Sequence, residues 1–321
     1  MSSANEIPET FGLSGDDAWV MLRKAGRLRL IRDAFMRLRA ADGFSHARSI
    51  AFISELVLVQ GVIALVGLAS VLHRGGVSDV IVRTLKEAAP GPAGEVLTEA
   101  VAQAHQTGNG HSVAVTLGVI GALISGTTLM GQMERAMNRL YGIERDRPTL
   151  RKYGRGFVLA LSAGVLVAVA FVAIAFGRQV AASLSSDLAV RIWEAARWPV
   201  ALLLLAAAVG AVFRWAPRRH QPQWSWLAFG AAISVGLWFA VTALLAWFFG
   251  VSTTFGETYG PLAGLVALLL WALLSSIAVL FGGAVAAQLE AVRAGEPAPQ
   301  REREIPDSAV SADMHDAPLR V

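Results

Sequence analysis

Six polar side chains stand where they could do chemistry within an otherwise apolar chain: Glu55, Gln60, Glu134, Arg135, Asn138 and Arg139. Glu55 is the only carboxylate inside any of the long apolar stretches described below. A carboxylate at membrane depth is costly, faces a bundle interior or a wet cavity, and marks a proton, ion or substrate path. The competing reading is snorkelling. Glu55 stands about five residues inside a stretch beginning near Ile50, so only ~7–8 Å deep at 1.5 Å per residue, within reach of the headgroups. Gln60 lies deeper, and its amide can hydrogen-bond between helices as glue without any substrate. Glu134 and Asn138 are four residues apart, as are Arg135 and Arg139, so each pair shares a helix face. That makes a polar cluster of both signs, and equally a basic flank whose side chains tie off a helix end.

Other chemistries are missing. The chain has no cysteine, which removes disulfides, thiolate catalysis and Cys-ligated metal. His46, His73, His105, His111, His220 and His315 show no metal-ligand spacing. There is no phosphate loop of the form GxxxxGK[ST] and no GxSxG nucleophile elbow. No catalytic, metal-binding or cofactor-binding residue is therefore expected, and the protein is read as no enzyme. Basic residues interleaved with aromatics can signal RNA binding. Here membrane topology accounts for the same residues, and no nucleic-acid partner is expected.

The elements that position these residues follow from hydropathy. Of 321 residues, 55% are hydrophobic and 16% charged, against about 25% charged in soluble proteins. Thirty-two residues from Thr258 to Leu289 pass without a charge, when about 20 suffice to cross a bilayer core. Small residues at Gly264, Ser275, Ser276, Gly282 and Gly283 allow close helix approach. The whole pattern predicts an all-α polytopic membrane protein: a bundle of six transmembrane helices with amphipathic interfacial helices. The spans fall at about 50–72, 112–130, 156–176, 198–215, 224–249 and 261–286. The second is expected to continue as a polar extension through Tyr141. The fourth is the shortest, with Arg197 and Arg214 free to snorkel and Trp193, Trp198 and Trp215 near its ends.

Outside this membrane domain (46–293) lie a cytoplasmic N-terminal segment (1–45) and a charged, proline-rich tail (294–321) that is expected to be disordered. Residues 1–15 read as loosely attached. Residues 16–40 read as one basic amphipathic helix, apolar at Leu28, Ile31, Phe35 and Leu38, with Arg27, Arg29, Arg32, Arg37 and Arg39 on other faces. Such a helix suits an anionic lipid surface or a berth under the bundle. The long loop 73–111 suggests two short amphipathic helices broken at Pro90-Gly91-Pro92, and 178–197 another interfacial helix. No cleavable signal is visible, so the first span stays as an anchor. With six spans, 22 of the 28 Lys and Arg residues fall on one side and six on the other. The positive-inside rule puts that side, and both termini, in the cytoplasm. The partners expected are the lipid bilayer and anionic lipids at the cytoplasmic face. Homo-oligomerisation is left open.

The segment GALISGTTLMGQMERAMNRLYGIERDRP, the run TYGPLAGLVALLLWALLSSIAVLFGGAVAAQLEAVRAG, and DGFSHARSIAF followed by VIALVGLAS together resemble the YihY/virulence factor BrkB family over roughly residues 30–295. The resemblance implies a six-helix inner-membrane protein of bacteria. Members have carried a ribonuclease BN label that is regarded as mistaken, and a role in envelope integrity or in transport of an envelope component is suggested for some. The chain departs from the family pattern at Gln60, where the first span commonly has Pro, and at Ala284 and Ala286, where many members have Glu and Asn. That departure argues against a proton-coupled mechanism through span six. Two functions stay open: movement of an amphipathic or lipid-like envelope component, or a non-transporting structural role in the envelope.

Overall fold

Inside hydrocarbon a lone segment satisfies its own backbone N–H and C=O groups only as a helix. Each long apolar stretch of this chain is helical in the computed structural model. The structure describes residues 4–71, 80, 83–85, 89–106, 111–175, 186–252, 255 and 258–295. Two short helices come first, α1 (Gly15–Ala25) and α2 (Arg27–Ala40). They are separated at Gly26, whose φ of 79° suits glycine and strains other residues. The chain continues through α3 (Gly43–Val71), α4 (Pro92–Gln106), α5 (His111–Leu140), α6 (Thr149–Ala175), α7 (Asp187–Trp215) and α8 (Trp224–Val251). A 3-10 turn at Gly260–Leu262 then leads into α9 (Ala263–Ala294). Six of these helices, α3 and α5 to α9, are long and apolar enough to cross a membrane. No strand occurs among the described residues. The chain is an all-α polytopic membrane protein.

The six long helices pack in chain order, α3 on α5, α5 on α6, α6 on α7, α7 on α8 and α8 on α9. Helix α9 then returns to α3 and closes the ring. The outer faces stay apolar: Val158, Leu161, Val165 and Val169 on α6 and Leu244, Trp247 and Phe248 on α8 are all exposed. Large side chains facing outward along whole helices are what lipid tails cover. Between helices the contacts depend on missing side chains, since lipid gives no hydrophobic force to drive helices together. A Cβ at Gly230 of α8 would stand 2.7 Å from the Gly282 carbonyl oxygen of α9 and 2.9 Å from Ala286 Cβ. A Cβ at Gly118 of α5 would stand 2.9 Å from Ala64 N on α3.

Short elements close both ends of the ring. Helix α4 packs on α3 and α9 at one end, burying Ala93 and Leu97 with Val62, Ala267 and Leu268. It begins at Pro92, where a missing N–H costs little, as the Pro-Gly-Pro break predicts. At the opposite end, α1 packs on α8 and α2 on α9.

The helix boundaries correct the sequence reading in several places. Residues 16–40 form two helices, not one. Residues 30, 34, 37 and 38 of α2 are buried, so Leu30, Ala34, Arg37 and Leu38 face the bundle. Leu28, Ile31 and Phe35, expected on one stripe with Leu38, point outward. The expected break between an interfacial helix and span four is absent from Asp187 onward, where α7 runs through Pro199. One proline removes a single N–H, whereas ending the helix would leave several backbone groups unpaired. Helix α9 runs past residue 286 to Ala294. Residues 4–14 are docked, not loose: Ala4 N donates to Arg139 O at 3.3 Å and Ile7 N to Tyr141 O at 3.2 Å. The expected tail disorder from residue 296, most of the first helix of loop 73–111 and most of 178–186 lie outside the described residues.

Candidate functional site

A half-open cavity of about 230 Å³ lies among α3, α5, α7, α8 and α9. Its polar and aromatic lining comprises Ser54 and Glu55 of α3, Ser234 and Trp238 of α8, and Trp271, Ser275 and Ser276 of α9. Glu55 comes twelve residues after the start of α3 at Gly43, about 18 Å along the axis. Trp238 and Ser275 are likewise near the middle of their helices. Helix α3 begins seven residues before Ile50, where the apolar stretch begins.

Hydrogen bonding within the cavity is unevenly shared. Ser276 Oγ donates to Ala272 O at 2.8 Å, and Ser234 Oγ lies 3.2 Å from Gly230 O. Trp271 Nε1 donates to Thr242 Oγ1 at 3.0 Å, which fixes the indole, and its ring centroid lies 6.3 Å from that of Trp238. Glu55 Oε1 and Ser275 Oγ are buried with no hydrogen-bond partner. A buried carboxylate oxygen and hydroxyl without partners are costly to leave unmade, so both are poised to accept or donate to whatever enters. Gln60 lies beyond this wall. Its amide packs against α5, where a Cβ at Gly121 would stand 2.9 Å from Gln60 Cδ. Gln60 Oε1 has no partner, so the oxygen makes no helix-to-helix hydrogen bond.

Glu134, Arg135, Asn138 and Arg139 gather at the end of the bundle that carries both ends of the described chain. There they tie α5 to two loops, 141–148 and 216–223. Arg147 N donates to Glu134 Oε1 at 3.0 Å, and its Nη1 pairs with Glu134 Oε2 at 3.0 Å. The same guanidinium donates to Ala216 O at 2.6 Å, one of the orphan carbonyls where α7 ends. Asn138 Nδ2 donates to Asp146 Oδ1 at 3.0 Å, while its Oδ1 accepts from Arg218 N at 2.7 Å. Arg135 Nε and Lys152 Nζ both reach Asp146 Oδ2, at 3.1 and 2.8 Å. Burial alone would raise the Asp146 carboxyl, but the hydrogen bonds from Lys152, Asn138 and Arg135 outweigh it and hold it down at about 2. Arg139 Nη1 donates to Ile143 O at 2.8 Å. Arg135 pairs with Asp146, not with Glu55, so it is no counter-charge for that carboxylate.

A second network beside it escaped the sequence reading. Arg37 is fully buried, with Nε donating to Gln288 Oε1 at 2.7 Å and Nη1 to Leu140 O at 3.1 Å and Asn5 O at 3.3 Å. Arg219 Nη2 pairs with Glu290 Oε1 at 2.6 Å, with side chains 2% and 0% exposed. Thr10 Oγ1 donates to the same oxygen, and the Arg219 guanidinium lies 4.5 Å from the centre of the Tyr141 ring. Gly142, with φ of 80°, passes directly under the Glu6 backbone. One signal could have exposed Arg37: it falls on the helical period of Leu30, Ala34 and Leu38. Glu290 offered a weaker one, as it continues the phase of an uninterrupted 32-residue helix.

A ring of six apolar helices, tied at one end by buried ion pairs and holding a half-open cavity among its helices, is a multi-pass membrane protein. The chain belongs to the family described as Virulence factor BrkB, whose match runs over residues 34–306. It is 26% identical over 268 residues to the ribonuclease-like protein YfkH of Bacillus subtilis (strain 168), covering 82% of this chain and 95% of that protein. A UPF0761 membrane protein of Methylibium petroleiphilum is 27% identical over 195 residues, 60% of this chain and 44% of the relative. Another from Halorhodospira halophila is 23% identical over 180 residues, 55% of this chain and 39% of the relative. The chain thus spans less than half the length of the two UPF0761 proteins it matches. No solved structure matches the chain.

Proposed function

We propose that the protein moves or exchanges an amphipathic, lipid-like component of the bacterial envelope across the inner membrane, with the internal cavity as its substrate site. The observation that carries this is the mid-helix cavity containing Glu55 Oε1 without a partner. Substrate sites of many transporters lie near the bilayer midplane where helices meet. An ionisable group there marks a path unless the protein neutralises it. The mostly apolar wall suits a substrate with an apolar part. Among the described residues no three His, Asp or Glu side chains gather as a metal site, and no reaction is assigned.

The test uses purified protein in vesicles containing a fluorescent phospholipid analogue. Translocation faster than in protein-free vesicles is expected, and Ser275→Trp, which fills the cavity, should return it to the protein-free rate. Equal rates in all three would favour a second reading, a non-transporting envelope scaffold, which the tightly bonded end of the bundle supports.

In this proposal the end with both termini faces the cytoplasm, where 22 of 28 Lys and Arg residues would fall. Leu28, Ile31 and Phe35 are then free to dip into an anionic leaflet, flanked by the exposed Arg27, Arg29 and Arg32. Reporter fusions after His73 and after Gly256 should both read periplasmic, and a cytoplasmic signal from either would overturn the orientation.

A further inference from the structure

The cavity has a charge signature that restricts what it can hold. Its wall contains one carboxylate, Glu55, and no Lys, Arg or His. An anionic group entering it would meet only like charge in a low-dielectric space, which is strongly disfavoured. A sugar or other multiply hydroxylated group would need many donors and acceptors, yet Glu55 Oε1 and Ser275 Oγ are the buried wall atoms that lack partners. What remains is a group of positive charge with little need of hydrogen bonds. Two indoles, Trp238 and Trp271, stand in the same wall at 6.3 Å centroid separation and 48° to one another. Tryptophan faces attract cations most strongly of the aromatic residues and recognise quaternary ammonium groups. Trp271 is held in place through Thr242. The volume of about 230 Å³ is several times the ~30 Å³ share of one liquid water molecule.

We propose that this cavity binds an ammonium group, with the Glu55 carboxylate as counter-charge, Trp238 and Trp271 as the aromatic wall and Ser275 Oγ as an added polar contact. The proposal rests on the reading of the cavity as a substrate site and gives that substrate its chemical class. The ammonium can belong to a lipid-like molecule or to a free amine, and the chemistry of recognition is the same.

The full chain in lipid nanodiscs is titrated calorimetrically with hexyltrimethylammonium, hexyl sulfate and tetramethylammonium, with empty nanodiscs as the partition control. Saturable binding of hexyltrimethylammonium is expected, with none of hexyl sulfate. Glu55→Gln removes the Coulombic attraction to the cation and should weaken that binding at least about tenfold, and Trp271→Leu about threefold or more. Tighter binding of the hexyl compound than of tetramethylammonium identifies the lipid-like source, and equal binding the free amine; both support the ammonium site. Equal binding of sulfate and ammonium, or unchanged affinity in Glu55→Gln, overturns it. Thermal melting confirms that each variant is folded. Should Glu55→Gln fail to fold, Trp271→Leu decides, and unchanged affinity in it overturns the proposal. Ammonium binding without phospholipid translocation would sink the transport reading and leave this site standing. Translocation without ammonium binding would do the reverse.

Discussion

Arg219→Met is expected to destabilise the folded protein by about 3–5 kcal/mol, the usual penalty for removing one partner of a buried ion pair. Arg219 is 2% exposed and Glu290 fully buried, at 2.6 Å. Thr10 is the other group that donates to Glu290 Oε1, and one neutral hydroxyl cannot replace a guanidinium. The loss also uncovers Tyr141, whose ring the guanidinium overlies at 4.5 Å. Thermal or denaturant unfolding in nanodiscs reads the effect. The double change Arg219→Met with Glu290→Leu should recover most of it, because replacing both charges by apolar groups of similar size is often neutral. Single and double variants of equal stability would show that the pair contributes nothing.

Gly230→Leu is expected to cost about 3 kcal/mol or more, the upper range of overpacking. The added Cβ would meet backbone, the Gly282 carbonyl oxygen at 2.7 Å, as well as Ala286 Cβ at 2.9 Å. Backbone cannot swing aside as a side-chain tip can, so α8 and α9 must separate along their length. Gly236 on the same helix is the control. A Cβ there meets nothing within 4 Å, and Gly236→Ala should be neutral or stabilising by up to about 1 kcal/mol. Yield and melting of the two variants compare directly. Equal behaviour would mean that the α8–α9 contact tolerates a wider spacing.

Much of this architecture was legible because membrane spans are written in long, coarse signals. Thirty-two uncharged residues from Thr258 to Leu289 can do little else in a protein of this size. What the sequence concealed were polar groups buried in helical ends. Arg37 looks like one more basic residue of a surface helix, yet it is fully buried because Gln288, Leu140 O and Asn5 O from three remote segments accept its hydrogen bonds. No local pattern encodes a partner 251 residues away. Glu134 and Asn138 were legible as sharing a face, but the role of that face depends on Asp146, Arg147 and Arg218 arriving from loops. The cavity was half legible. Glu55 announced itself as a charge in an apolar run, whereas Trp238 and Trp271 read only as membrane residues until the ring closed around them.

The strap under the basic end has a consequence for biosynthesis. Thr10 and Glu290 are 280 positions apart, and a ribosome adding ~5–20 residues per second needs roughly 14–56 s to span that interval. Throughout that time Arg37 and the first residues of the strap have no C-terminal partner to close on. The end of the bundle can lock only after the sixth crossing has been inserted and its last turns have emerged. A nascent chain interrupted before Gln288 therefore leaves Arg37 Nε without its Gln288 acceptor and the last turns of α9 missing from the basic end. Those are features that membrane quality control can distinguish from the finished protein.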